Sequence, residues 1–260
     1  MKRLLDQKAI VTGGGSGIGR ATAMRLAAEG AHILVADIRA SDAEETASLI
    51  QHAGGTALSI ACDVRDEEQV ANMTQSAIDS LGGLDILVAN AGVVTPGRIH
   101  ELSLQDWQRV IDVNLTGCFL CIREALRYMV QNKGGNIVTV GSVSSVVIGG
   151  GGSAASYKAS KGGLLQLTRA VAVEYAHQNI RANCVCPGLV TTKIMQHAAE
   201  ESEEWTSQLT ESARQYSIDT PIEDIPAPED IAGVIAFLLS KDAAFMTGSA
   251  VMVDGGYTAI

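Results

Sequence analysis

Short apolar runs alternate along the chain with longer stretches in which apolar positions recur three or four apart. Residues 8–12, 32–37, 57–62, 84–89, 136–140, 180–186 and 250–253 read as strands, rich in Val, Ile and Ala. Between them, 20–29, 66–81 and 107–130 read as helices, as do the stretch entered at Tyr157 and one starting at Pro228. Pro228 suits a first helical position, and Glu229 and Asp230 suit its positive dipole end. Alternation of this kind predicts an α/β fold, a parallel sheet covered by helices on both faces. The helical period of 107–130 is interrupted by Asn114 and Gly117, which marks an irregular turn or a bound water there.

Polar and glycine-rich breaks fall where strands end, and ligands of open α/β sheets collect along that edge. The first strand runs into Gly13-Gly14-Gly15-Ser16-Gly17-Ile18-Gly19 and then a helix. Such a turn brings backbone close to a pyrophosphate, with free N–H groups and the helix dipole facing its charge. The second strand ends in Asp37, an acid suited to ribose hydroxyls and repulsive to a 2′-phosphate, which favours NAD over NADP; a helix-capping role is its alternative. Arg39 stands two positions on, where a basic side chain could swing toward a phosphate. Asp63 and Val64 follow the third strand, where an adenine edge could be read or a helix capped. Asn90, Ala91 and Gly92 close the fourth strand, and Pro187, Gly188, Val190 and Thr192 follow the sixth.

Tyr157 and Lys161 lie four apart in a helical stretch and so share one face. An ammonium beside a phenol stabilises the phenolate and makes it usable as a base near neutral pH. The glycine run 149–152 just before Tyr157 reads as a border of the substrate site or as a plain flexible loop, and the weakly patterned segment 193–225 reads as a mobile lid or a surface helical hairpin.

Charge and cysteine content narrow the class. With 260 residues the chain can bury one core, and no linker divides it, so 1–260 is expected to be a single domain. A formal net charge of -10 disfavours nucleic acid and anionic membranes as partners. No apolar run suggests a signal peptide or a membrane span, and a cytoplasmic location is expected. Five cysteines make no disulfide framework; Cys118 and Cys121 read as buried helix residues, with a redox or metal pair as the alternative, and Cys184 and Cys186 share one face of a strand. The five histidines are scattered without zinc spacing, so no catalytic metal is expected.

Taken together in order, Thr12-Gly13 through Gly19, Asn90-Ala91-Gly92, Asn114, a serine after the fifth strand, Tyr157 with Lys161, Pro187-Gly188 with Thr192, and Val253-Asp254-Gly255-Gly256 resemble the short-chain dehydrogenase/reductase family across essentially the whole chain. The resemblance implies a single Rossmann-type doubly wound sheet of about seven strands, a nicotinamide cofactor and a homotetramer. It implies Tyr157 as the acid/base, Lys161 on the nicotinamide ribose, Ser142 on the substrate oxygen and Asn114 anchoring a water. Gly13, Ser16, Gly17, Ile18 and Gly19 would line the pyrophosphate side, Asp37 the adenosine ribose, Asp63 and Val64 the adenine, and Asn90 with Ala91 and Gly92 the ribose near the fourth strand. Pro187, Gly188, Val190 and Thr192 would flank the carboxamide. Ser144 competes with Ser142, lying thirteen rather than fifteen residues before Tyr157. The expected activity is hydride transfer between NAD(H) and a secondary alcohol or ketone. An NADPH-dependent 3-oxoacyl thioester reductase and a non-catalytic dinucleotide-binding protein are the alternatives.

Overall fold

Strands β1 (Lys8–Thr12), β2 (His32–Asp37), β3 (Thr56–Ala61), β4 (Ile86–Ala89), β5 (Gly135–Val140), β6 (Ile180–Pro187) and β7 (Ala250–Val253) pair in parallel. They form one 7-stranded sheet in the order β3-β2-β1-β4-β5-β6-β7. This is a computed structural model, and it describes residues 2–132, 134–148, 154–190, 216, 218–222 and 224–259.

Side chains alternate across the sheet because successive strand residues point to opposite faces. Ala9 and Val11, Ile33 and Val35, and Ile86 and Val88 pack with α1 (Gly17–Ala28), α2 (Ala40–His52) and a C-terminal helix, α7 (Pro228–Leu239). Ile10, Leu34, Leu87 and Ile137 face the other way, onto α3 (Glu67–Leu81), α5 (Cys118–Met129) and α6 (Ala155–Glu174). Each Val, Ile or Leu so enclosed contributes roughly 1.5–3 kcal/mol, and both layers are needed to cover the sheet. Strand order turns back between β1 and β4, so the crevice opens at their carboxyl ends.

The expected elements stand with local differences. α1 begins at Gly17, ahead of Arg20. The long helix begins earlier than expected, as α4 (Leu104–Ile111), where Ser103 accepts the Asp106 N–H. It passes through a π-helical turn, Asp112–Gly117, before α5. The irregularity anticipated at Asn114 is therefore a widened turn, with Asn114 fully enclosed. Asp66 caps α3 by accepting the N–H groups of Glu68 and Gln69, which leaves Asp63 outside that role. Of the expected insertion at 193–225, residues 193–215, 217 and 223 lie outside the described residues, as do Thr192 and the glycine run at 149–152. No helix among the described residues is long and apolar enough to cross a membrane.

Candidate active site

The fold draws α6, the π-helical turn and the ends of β4 and β5 to one place. Lys161 is 4 % exposed, and its ammonium lies 5.6 Å from the centre of the Tyr157 ring. It donates to the Val140 carbonyl at 2.7 Å, leaving two further donors for a ligand. No carboxylate among the described residues forms an ion pair with it. A Cβ built at Gly92 would meet Asn114 Oδ1 at 3.4 Å and Lys161 Nζ at 3.6 Å, so these three residues share one space.

Asn114 holds the loop after β4 against α6. Its Oδ1 accepts the Val93 N–H at 2.8 Å, and its Nδ2 donates to the Val93 carbonyl at 2.9 Å and to Ser160 Oγ at 3.1 Å. Both amide N–H groups are thereby committed. Ser160 in turn donates to the Tyr157 carbonyl at 2.7 Å, tying the loop to the turn of α6 that carries the phenol. Helical spacing did not single out Ser160. Its position immediately before Lys161 was the available signal.

At the end of β5, Ser142 caps a short 3-10 turn over Val143–Ser145. The Ser144 N–H donates to Ser142 Oγ at 3.1 Å, so the serine's own hydroxyl hydrogen is left to donate elsewhere. Ser145 Oγ accepts the Ser142 N–H at 3.2 Å. Beneath this turn, Cys184 and Cys186 bring their sulfurs to 3.8 Å on the shared strand face that their spacing predicted. Their mutual hydrogen bond pushes Cys184 down and Cys186 up from the ordinary thiol value. Cys118 and Cys121 are buried, and burial raises both thiols. Among the described residues no group of three or more His, Cys, Asp or Glu is placed to hold a metal ion.

The nucleotide side is built on β1, β2 and α1. Gly13 turns the chain at φ +61, where side chains are disfavoured, and a Cβ there would press on Asn90 Nδ2 at 2.9 Å. That Asn90 amide donates to the carbonyls of Thr12 and Gly13 at 3.0 and 3.1 Å, locking the glycine turn to the end of β4. Thr12 Oγ1 accepts the N–H groups of Asn90 and Ala91 at 3.1 and 3.3 Å, a clamp that no sequence pattern foretold. Ser16 precedes α1 without capping it, and the first turn, which includes Ile18 and Gly19, carries no acid. The helix thus presents uncapped N–H groups and an unopposed positive dipole end, a cradle that fits a dinucleotide pyrophosphate. Asp37 accepts the Gly15 N–H at 3.0 Å and the Arg39 N–H at 3.1 Å, which brings its carboxylate to the glycine loop.

Other expected contacts are arranged differently. Asp63 is paired with Arg65 at 2.5 Å, and this hydrogen-bonded guanidinium holds its carboxyl below the ordinary value against the opposing push of burial. Val64 packs onto the π-helical turn, where a Cβ at Gly117 would lie 2.7 Å from its Cγ2. Gly188, just past Pro187, donates its N–H to the Val253 carbonyl at 3.1 Å, and Val190 is buried. Tyr216 had no signal in the sequence pattern: its hydroxyl touches Gly188 and donates to the Asp254 carbonyl at 3.1 Å, while its ring stacks on Tyr257 at 4.5 Å.

A parallel sheet with a glycine cradle and a phenol–ammonium pair at its carboxyl edge defines a nucleotide-dependent α/β oxidoreductase class. Comparison with known proteins makes this specific. A family model described as enoyl-(acyl carrier protein) reductase matches residues 13–258. The cis-4-hydroxycyclohexanecarboxylate dehydrogenase of Sinomonas cyclohexanicum is 41 % identical over 256 residues, covering 98 % of each chain. The 2-(S)-hydroxypropyl-CoM dehydrogenase 3 of Xanthobacter autotrophicus is 38 % identical over 258 residues, 99 % of each. Among solved structures, a short-chain type dehydrogenase/reductase from Mycobacterium marinum superposes with a TM-score of 0.90 at 35 % identity, covering 99 % of this chain and 97 % of the other. The chain belongs to the short-chain dehydrogenase/reductase family and is an oxidoreductase that uses a nicotinamide cofactor and a small-molecule substrate.

Proposed function

We propose that this enzyme interconverts secondary alcohols and ketones with NAD(H), Tyr157 serving as the acid/base. The observation that carries the reading is the enclosed Lys161 ammonium beside the Tyr157 ring, hydrogen-bonded to a backbone carbonyl rather than to an acid. The ammonium pairs with no carboxylate among the described residues, so its two remaining donors stay available beside the Tyr157 ring. The bound nicotinamide supplies the hydride acceptor or donor. Ser142 donates its hydroxyl hydrogen to the substrate oxygen, its own Oγ being held by the Ser144 N–H, which supports Ser142 over Ser144. In oxidation the Tyr157 phenolate takes the alcohol proton as the C–H bond breaks, and in reduction the phenol returns it. Lys161 steadies the charge on Tyr157 and, with its remaining donors, holds the ribose. Asn114 positions the loop against which the substrate rests.

The glycine turn and Asp37 support NAD as the cofactor, with Ser16, Gly17, Ile18 and Gly19 on the pyrophosphate and Asn90, Ala91 and Gly92 by the nicotinamide ribose. Asp63 and Val64 complete the adenine end, and Pro187, Gly188, Val190 and Thr192 the carboxamide end. A homotetramer is supported by the groove between α5 and α6, lined by Phe119, Leu126, Val130, Leu167 and Tyr175 together with Arg123, Arg127, Gln131 and Glu174. A single domain in the cytoplasm completes the proposal. Because the relatives are named for a hydroxycyclohexanecarboxylate and a hydroxypropyl thioether, hydroxycycloalkane carboxylates head the substrate screen. The family model's description names an acyl group on a carrier protein, though an enoyl rather than a 3-oxoacyl one, and 3-oxoacyl thioesters with NADPH form the competing arm.

Tyr157→Phe is the test. Turnover is expected to fall by about 10²–10⁴-fold while NADH affinity, read by fluorescence titration, stays within a few-fold. Near-wild-type turnover in the Phe variant would show that the proton goes elsewhere.

A further inference from the structure

The loop that leaves β6 is backed by a tyrosine from a later part of the chain. Pro187 pairs with Val253 at the end of the sheet, and the Gly188 N–H donates to the Val253 carbonyl at 3.1 Å. Tyr216 lies over the point where the chain then turns away. Its hydroxyl donates to the Asp254 carbonyl at 3.1 Å, and a Cβ built at Gly188 would collide with that same hydroxyl. Room for the phenol therefore depends on the missing side chain at 188. The Leu189 N–H is near enough to pull the Tyr216 phenol down, against burial, which pushes it above its ordinary value.

From the other side, Tyr216 is held by the C-terminal end of the chain. Its ring stacks on Tyr257 with centroids 4.5 Å apart. Thr220 Oγ1 donates to the Tyr216 carbonyl at 2.6 Å, and the Ile222 N–H donates to the Gly255 carbonyl at 3.0 Å. Asp254, 7 % exposed, accepts the Gly256 and Thr258 N–H groups at 3.1 and 3.0 Å and the Thr258 hydroxyl at 2.6 Å, which fixes the turn that carries Tyr257. One phenol thus joins a rigid C-terminal turn to the loop at the carboxyl end of β6, the edge of the sheet where ligands bind. A loop ordered before its ligand arrives has less freedom to lose on binding.

We infer that Tyr216 is a positioning residue for the nicotinamide half of the cofactor, acting through its hydroxyl by pinning Gly188 and Leu189 to the C-terminal turn. This rests on the reading of Pro187, Gly188 and Val190 as the carboxamide end. It adds that the end of the chain, through Asp254 and Tyr257, takes part in cofactor binding without touching the cofactor.

ADP-ribose carries every part of NADH except the nicotinamide, so the ratio of the two affinities isolates that half from the rest. Both are titrated calorimetrically into the full chain; should NADPH bind the tighter, it and 2′-phospho-ADP-ribose replace them. Tyr216→Phe keeps the ring on Tyr257 and removes the hydroxyl. Affinity for the reduced dinucleotide is expected to fall by roughly 2–12-fold, the scale of one net hydrogen bond, with ADP-ribose binding unchanged. Equal losses for both ligands would make Tyr216 a general structural prop, and no loss for either would make it idle; each overturns the inference. Val190→Gly, which loosens the loop directly, reads the carboxamide assignment by itself. If it shifts the ratio and Tyr216→Phe does not, only the inference falls. If it leaves the wild-type ratio unchanged, the carboxamide assignment falls and the inference with it.

Discussion

The proposed adenosine end and the proposed reacting end of the crevice are built from the same kinds of residue held in opposite ways. Around Asp37, charges meet charges at a partly exposed rim: Arg39 with Asp42, Arg20 with Glu45, Arg65 with Asp63. Around Tyr157, the charged and polar groups are enclosed and lean on backbone, with Lys161 on the Val140 carbonyl and Asn114 on both polar groups of Val93. Exposed ion pairs contribute little each and can be exchanged singly, whereas an enclosed group bound to backbone leaves an unsatisfied partner when removed. The first end can therefore lose a pair singly, whereas removal of a group at the second strands a backbone partner.

The largest effect should come from Lys161→Met, which keeps length and apolar packing but removes the ammonium from the Tyr157 ring. Turnover is expected to fall by about 10³-fold, the range of removing a preorganised electrostatic group, and loss of the donor to the Val140 carbonyl should also lower the melting temperature by roughly 2–10 °C. If kcat measured from NADH absorbance falls less than tenfold, the enclosed cation is not what makes the phenol a base, and the contrast between the two ends weakens.

Asn114→Ala comes next and reads the structural half of the contrast. It strands the Val93 N–H and carbonyl and removes the donor to Ser160 Oγ, which keeps its bond to the Tyr157 carbonyl. An enclosed orphan of this kind costs about 1–3 kcal/mol, which for a chain of this size lowers the melting temperature by roughly 2–10 °C. The displaced loop should also lower kcat by up to about 10²-fold through misplacement alone. Loss of stability with kcat untouched would make Asn114 a purely architectural residue.

The two ends also differed in how readily they could be read from the sequence. β1 and β2 begin and end where the apolar runs do, because Thr12-Gly13 and Asp37 break the pattern abruptly. Tyr157, Lys161 and the interruption at Asn114 were visible from helical spacing, which is local information. What spacing could not show is who partners whom across the sheet. The Thr12 clamp on Asn90 spans 78 residues, and the Asn114–Ser160 bond spans 46. Asp63 illustrates the reverse case, for its location past β3 was right for a ligand contact or a cap, yet Arg65 two residues on takes the carboxylate. A short-range ion pair between an exposed and a half-buried side chain leaves no periodic trace.

That pair supplies the smallest expected effect. Asp63 sits below its ordinary value of 3.8 because Arg65 hydrogen-bonds to it, so the folded state favours its charged form. A carboxyl depressed on folding stabilises above the unfolded value, and this contribution is lost as the pH falls through the folded value below 3.8. With Arg65 46 % exposed, solvent screening limits the contribution to about 1 kcal/mol or less. Asp63→Asn should thus lower the melting temperature by no more than about 4 °C at neutral pH, and the gap to wild type should close in acid. Raising the salt concentration should narrow it as well, since the pair is open to counterions. A gap that persists in strong acid and at high salt would mean that Asp63 acts through packing, and that the proposed adenosine rim is held more like the proposed reacting end than its charges indicate.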